Sequence, residues 1–156
     1  MRVLAIDPGY DRLGLAVLEG DPSRPTHLWS DCVIPPKDAR ELRLAAVFTA
    51  VSEALDTHMP DMVAIESLFF TKNQTTGIGV AEARGAVLAA SGLRSIPVYE
   101  FSPQSVKLAV TGYGNADKSA VMNMVPRLIT LPPKKRLDDE FDAIALAIAS
   151  LSTRRT

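Results

Sequence analysis

The chain has 156 residues, 47% of them hydrophobic and 22% charged, with a formal net charge of −1. That balance suits a single soluble domain over residues 1–156 with a core of its own. It excludes a membrane span, since the longest apolar run, Ala143–Ala149, is far short of the about 20 residues a bilayer requires. One cysteine, Cys32, excludes an internal disulfide framework. With no signal-type segment ahead of the first strand, the expected location is the cytoplasm.

Arg2–Ile6 is a short apolar run ending on Asp7, and Pro8-Gly9 must then turn the backbone. The run reads as a buried strand that delivers one carboxylate to its tip. Taken alone, the stretch favours Asp7 as a turn residue, because Asp is common before Pro-Gly; the later stretches change that. Leu13–Leu18 returns as a second strand of a hairpin, and Thr26–Ile34 reads as a third, stopped by Pro35-Pro36. His27 and Cys32 are strand or core residues with no partner cluster nearby. Asp38 is the expected N-cap of a helix reaching about His58. Leu44, Phe48, Val51 and Leu55 form its apolar face. His58, beside Pro60, is read as a solvated helix end.

Asp61–Glu66 repeats the first pattern, an apolar run ending on a carboxylate. A buried strand after a crossover helix pairs parallel to the first, which puts Asp7 and Glu66 at one sheet edge, where open α/β sheets bind ligands. Thr71–Ser91 reads as a helix on which Gly77, Ala81 and Gly85 leave one face almost bare. Interior Gly costs roughly 0.5–1 kcal/mol against Ala, so close approach of another helix, from this chain or a second copy, is the expected compensation. Ile96–Tyr99 is a further short strand.

Ser102-Pro103 opens a short helix carrying Lys107, with Pro at its first position. Thr111–Asn115 is a glycine-rich loop holding Tyr113. Asp117 or Asn115 caps the next helix, to about Leu128. Lys118 in its first turn opposes the helix dipole, which points to an anionic partner. Leu131–Arg136 is a rigid basic linker. The last helix runs from about Asp138 to Ser152, with Phe141, Ile144, Ala145 and Ile148 as its core face. Asp139 and Asp142 lie three apart on one side of it. Acids are ordinary in a first helical turn, which accounts for Asp138, Asp139 and Glu140. Asp142 lies deeper among apolar neighbours, where a lone carboxylate is costly.

Two strand-tip acids and a helix-borne pair make four carboxylates from distant stretches. Hard divalent cations such as Mg²⁺ take oxygen ligands, and two of them can drive phosphodiester cleavage. No Cys/His set, Walker-type loop or Gly-x-Ser-x-Gly elbow is present. The near-neutral net charge argues weakly against nucleic acid. Setting the four acids apart, however, leaves a basic remainder against 17 Lys and Arg.

Ala5–Gly9, Ile65–Phe69, Gly112–Ser119 and Asp139–Ala145 together resemble the RuvC family of bacterial Holliday junction resolvases, in order and spacing over essentially the whole chain. The resemblance implies a ribonuclease H-like α/β fold: a five-stranded mixed sheet, its first three strands antiparallel, flanked by helices. It implies a homodimer that nicks a four-way DNA junction in paired strands, leaving ligatable 5′-phosphates. Two Mg²⁺ per site are implied, with Mn²⁺ as a substitute, and so is cooperation with the RuvA–RuvB branch-migration machine. Carried over by position, Asp7, Glu66, Asp139 and Asp142 are the metal ligands and catalytic acids, with Asp138 a rival to Asp139. Lys107 and Lys118 resemble residues that hold the scissile strand's phosphates, and Tyr113 and Asn115 lie in the DNA-binding loop. Phe69 resembles an aromatic that stacks on an unpaired base, or else packs as a hydrophobic residue; Phe70 is read as packed. The bare Gly77, Ala81, Gly85 face is the candidate dimer contact. The rivals are the small YqgF-type nucleases, the actin-type ATPases, for which the chain is too short, and a junction-binding scaffold without catalysis.

Overall fold

The computed structural model describes residues 1–9, 11–68 and 74–153, with nothing said of the side chains of residues 74 and 75. β1 (Arg2–Pro8) forms from a run that is buried on both faces. Val3 and Ala5 point one way, Leu4 and Ile6 the other, as a pleated strand requires, and all four are fully buried. β2 (Leu13–Asp21) pairs antiparallel with β1, and β3 (Arg24–Val33) antiparallel with β2. The Asp21 carboxylate holds the turn between them, accepting from the Ser23 N–H at 2.8 Å and the Arg24 N–H at 3.1 Å. α1 (Arg40–His58) crosses over to β4 (Met62–Glu66), which pairs parallel with β1. α2 (Gln74–Gly92) leads to β5 (Val98–Phe101), parallel to β4. α3 (Pro103–Thr111), α4 (Lys118–Leu128) and α5 (Asp138–Ser152) follow. The sheet order is β3-β2-β1-β4-β5. This is the expected ribonuclease H-like arrangement.

The alternation along the strands builds two cores. Val3, Ala5, Ala16, Leu18 and Ala64 face α3, α4 and α5. Leu4, Ile6, Leu15, Val63 and Ile65 face α1 and α2. The first face is small in its middle, and α5 presents Ala143, Ala145, Ala147 and Ala149 among the residues packed over it or beside it. Small residues on both partners let α5 lie close to the sheet. It is buried almost all round from Ala143 to Leu151, which explains why the longest apolar run is a helix of the core. Among the described residues no helix is long and apolar enough to cross a membrane.

The structure corrects several expectations. Ala39, not Asp38, occupies the N-cap of α1, and no side chain caps it; the Asp38 carboxylate instead accepts from the Ala39 N–H. β5 lies two residues later than Ile96–Tyr99, because the Pro97 carbonyl is the group that accepts from Val63. His58 is not a freely solvated end. Its ring stacks on Trp29 with centroids 4.9 Å apart. His27 does have partners: its Nε2 lies 2.8 Å from Ser30 Oγ, which itself bonds to Glu140. Ser102 caps α3 with Pro at its first position, as expected, and Asp117 rather than Asn115 caps α4. α2 begins at Gln74 among the described residues, and the expected residues 71–73 lie outside them.

Candidate metal and nucleic-acid site

Ile6 and Ile65 are the last registered pair of the parallel β1–β4 ladder. Asp7 and Glu66 come next, so both carboxylates leave the sheet at the C-terminal ends of its parallel strands. On the other side of β1, Asp7 pairs with Gly14 of β2. A Cβ on Gly14 would stand 1.9 Å from the Asp139 carbonyl oxygen and 2.5 Å from its carbonyl carbon. The missing side chain therefore admits the first turn of α5 directly against β2. That approach brings the acids of α5 to the tip of β1. Sequence reasoning passed over Gly14, although a Gly inside a strand is a recognised mark of close backbone approach.

The convergence shows in the titration of the acids. The Asp7 carboxyl is pushed up to about 7, first by burial and then by the charges of Asp142, Glu66 and Asp139, with Lys118 opposing. Burial also raises Glu66, helped by Asp142 and opposed by Lys107 and Lys118. Burial raises Asp142 too, against its hydrogen bond from Lys118. Lys118 Nζ stands 3.1 Å from Asp142 Oδ2 and 3.5 Å from Asp138 Oδ2. Burial disfavours the Lys118 charge, but the two carboxylates outweigh it and raise its pKa. The anionic partner expected for Lys118 is thus found within the chain. Asp139 lies 3.6 Å from Arg12 Nη1 with its side chain 26% exposed, whereas Asp138 is 62% exposed. Asp139, and not Asp138, is among the charges that act on Asp7.

Among the described residues no three His, Cys, Asp or Glu side chains stand close enough together, as placed, to hold a metal ion. The donor set nevertheless has the right chemistry for a hard divalent cation. It is all carboxylate oxygen and partly buried, and burial together with the repulsion among the acids raises the Asp7 carboxyl to about 7. A divalent ion relieves that repulsion, which a zinc-type thiolate or imidazole set would not need.

Two cavities open here. One, of about 290 Å³, is lined by Glu66, Lys107, Lys118 and Asp142 together with Val106 and Leu146. The other, of about 250 Å³, is lined by Asp7, Glu66, Ser67 and Pro103 among others. They share Glu66 and Pro103 in their walls: Asp142 and the two lysines line the first, Asp7 lines the second, and Asp139 lines neither. Tyr113 and Asn115 are exposed in the loop between α3 and α4 and line neither cavity. That loop begins at Gly112, whose φ of 78° gives α3 its left-handed end. Phe69 and Phe70 lie outside the described residues.

Glu140 was read as an ordinary first-turn acid, but it is 2% exposed. Its Oε1 accepts from Ser30 Oγ at 2.7 Å and Lys134 Nζ at 3.1 Å, and Arg136 Nε lies 3.2 Å away. Two cations of the basic linker thus turn inward and pin the start of α5 to β3. The sequence signal was the i, i+4 pair of Arg136 and Glu140.

Comparison with known proteins agrees with this geometry. The family model described as crossover junction endodeoxyribonuclease RuvC matches residues 3–150. Curated relatives carrying that name include the Carboxydothermus hydrogenoformans protein, 42% identical over 149 residues, covering 96% of this chain and 94% of that one. The Thermotoga petrophila protein is 40% identical over 148 residues, covering 94% and 90%. Among solved structures, Thermus thermophilus RuvC in complex with a Holliday junction substrate superposes with a TM-score of 0.89 at 33% identity, over 96% of this chain and 92% of that one. The yeast mitochondrial resolvase Ydc2, at 13% identity and a TM-score of 0.68, shares the fold. With four acids gathered at the tips of β1, β4 and α5 and a match along nearly its whole length, the chain belongs to the RuvC family of crossover junction endodeoxyribonucleases.

Proposed function

We propose that this chain is a Holliday junction resolvase, a metal-dependent endonuclease acting as one domain over residues 1–156. The observation that carries the reading is the placement of Asp7 and Glu66 side by side at the ends of β1 and β4, with the first turn of α5 packed against β2 at Gly14 and the charges of Glu66, Asp139 and Asp142 all acting on Asp7. The substrate is four-way junction DNA, the molecule bound in the Thermus thermophilus RuvC complex. Asp7, Glu66, Asp139 and Asp142 would hold two Mg²⁺, or Mn²⁺ in their place. When bound, such ions activate a water and neutralise charge on the leaving oxygen of the phosphodiester.

The chain's own residues do the rest. Asp7 must lose its proton to serve as a ligand, and approach of a cation favours that loss. Lys118 neutralises Asp142 at 3.1 Å, and its exposed ammonium would be free to face a phosphate of the substrate. Lys107, across the cleft from Lys118, neutralises the same strand. Tyr113 and Asn115 on the exposed loop, and Phe69 beyond Glu66, make the outer DNA contacts. A homodimer presents two such sites to the approximately two-fold junction and makes paired nicks that leave ligatable 5′-phosphate ends. The enzyme works in the cytoplasm, in recombination and repair, beside RuvA–RuvB. The test is a synthetic mobile four-way junction with Mg²⁺. Symmetric nicks that ligase seals are expected, with little cleavage of linear duplex or of RNA. Binding without nicking would reduce the protein to a scaffold.

A further inference from the structure

Arg84 projects from α2 into the sheet edge and is 8% exposed. Its Nη1 donates to the Glu66 carbonyl at 2.7 Å, and its Nη2 pairs with Glu100 of β5. Glu66 ends β4, one residue beyond the last registered β1–β4 pair. On the other flank it registers with Phe101, whose carbonyl accepts from the Ser67 N–H at 2.8 Å. The β1 ladder therefore stops just short of Glu66, and one guanidinium takes its carbonyl instead. Arginine presents its donors in a planar, rigid fork, so a single group fixes the ends of β4 and β5 together. A buried cation set on a backbone carbonyl is a costly device for packing alone. Here the residue whose backbone it grips is the one that supplies a site carboxylate.

We propose that Arg84 is a positioning residue for Glu66: it holds the tip of β4 so that the Glu66 carboxylate stays turned into the metal cleft. The inference rests on the metal-binding role given above to Glu66. Groups hydrogen-bonded to a ligating side chain typically contribute 10- to 100-fold in affinity; Arg84 acts through the backbone of the ligand, which sets the expectation at the low end of that range. The remaining face of α2 at Gly85 is open, since a Cβ there would meet nothing within 4 Å. On the side turned to the sheet, α2 meets the site through Val80, which lines the cavity with Asp7 and Glu66, and through the Arg84 guanidinium on the Glu66 carbonyl.

The experiment measures Mn²⁺ binding by the full chain without DNA, by electron paramagnetic resonance, beside the melting temperature. Arg84→Met keeps the aliphatic stem and removes the donors; its Mn²⁺ Kd is expected to rise about 10-fold at temperatures where the protein is folded. Arg84→Lys offers one ammonium that cannot bridge both strands, and a rise of about threefold is expected. If Arg84→Met does not fold, Arg84→Lys carries the test. In a Glu66→Gln background, where the carboxylate is already lost, Arg84→Met should weaken Mn²⁺ no further. A lowered melting temperature with wild-type Mn²⁺ affinity, or full additivity with Glu66→Gln, overturns the proposal. A wild-type chain that binds no Mn²⁺ overturns the metal site itself, and Arg84's role with it.

Discussion

At the scale of single residues, the site is governed by the burial of its acids and, after that, by the repulsion among them. Asp7 ordinarily titrates near 3.8 and is held at about 7 here. Between those values the unfolded chain gives up this proton while the folded chain keeps it. Folding therefore binds a proton, and stability falls as pH rises through that window. His27 and His58, both lowered by burial, act the opposite way in the same window. The metal-free melting temperature should therefore fall more between pH 5 and pH 8 in wild type than in Asp7→Asn, and Mg²⁺ should raise the wild-type value more at pH 8 than at pH 5. Calorimetry at the two values checks this; the same pH dependence in both proteins contradicts it. Lys118→Ala removes the ammonium facing Asp142 and the phosphate alike, and should slow nicking about 100-fold while sparing the fold. Single-turnover cleavage gives that number. Asp7 and Glu66 were legible in the sequence because each ends an apolar run, and Asp142 because it is a carboxylate set among alanines and leucine. That Lys118 would find its anion in Asp142 and Asp138 was not legible, since the pairing depends on how α4 and α5 dock.

At the scale of elements, the decisive contact is α5 against β2. Gly14 has no side chain where the Asp139 backbone comes closest, and Glu140 locks the same turn through Ser30, Lys134 and Arg136. Gly14→Ala must push α5 away from β1. Overpacking of this kind costs about 1–3 kcal/mol or more. A lower urea midpoint is expected, with a loss of nicking larger than the loss of stability accounts for. Full activity in Gly14→Ala would show that the acids do not depend on this approach. The strands and helices themselves were readable from period and punctuation. Their docking was not, because a Gly in a strand or an acid in a first turn has an ordinary local explanation that only the tertiary contact overrides. The same holds for β5, whose register is set by the Pro97 carbonyl rather than by its own apolar pattern.

At the scale of the whole molecule, the order β3-β2-β1-β4-β5 places the two parallel-strand tips side by side. It leaves one face of α2 uncovered. Gly77 and Gly85 could each take a Cβ without contact inside the chain, while Ile78 and Leu88 of the same helix are 57% and 41% exposed. The proposed dimer uses this face. Gly85→Leu is then tolerated by the protomer but blocks assembly, so sedimentation should show a monomer with an unchanged melting temperature. A stable dimer in that variant moves the interface elsewhere. The parallel pairing of β4 with β1 was legible because the crossover helix before it is long enough to allow it; the five-stranded order followed only from the family resemblance. The grip of Arg84 on the Glu66 carbonyl was not, since no local pattern links a helix arginine to a strand tip 18 residues earlier.

The most direct test compares wild type and Asp7→Asn on the same labelled four-way junction with Mg²⁺. Wild type should bind and nick it symmetrically, and Asp7→Asn should bind with equal affinity and leave the strands intact. Nicking by Asp7→Asn at the wild-type rate would contradict the convergence of these acids on one metal-dependent reaction.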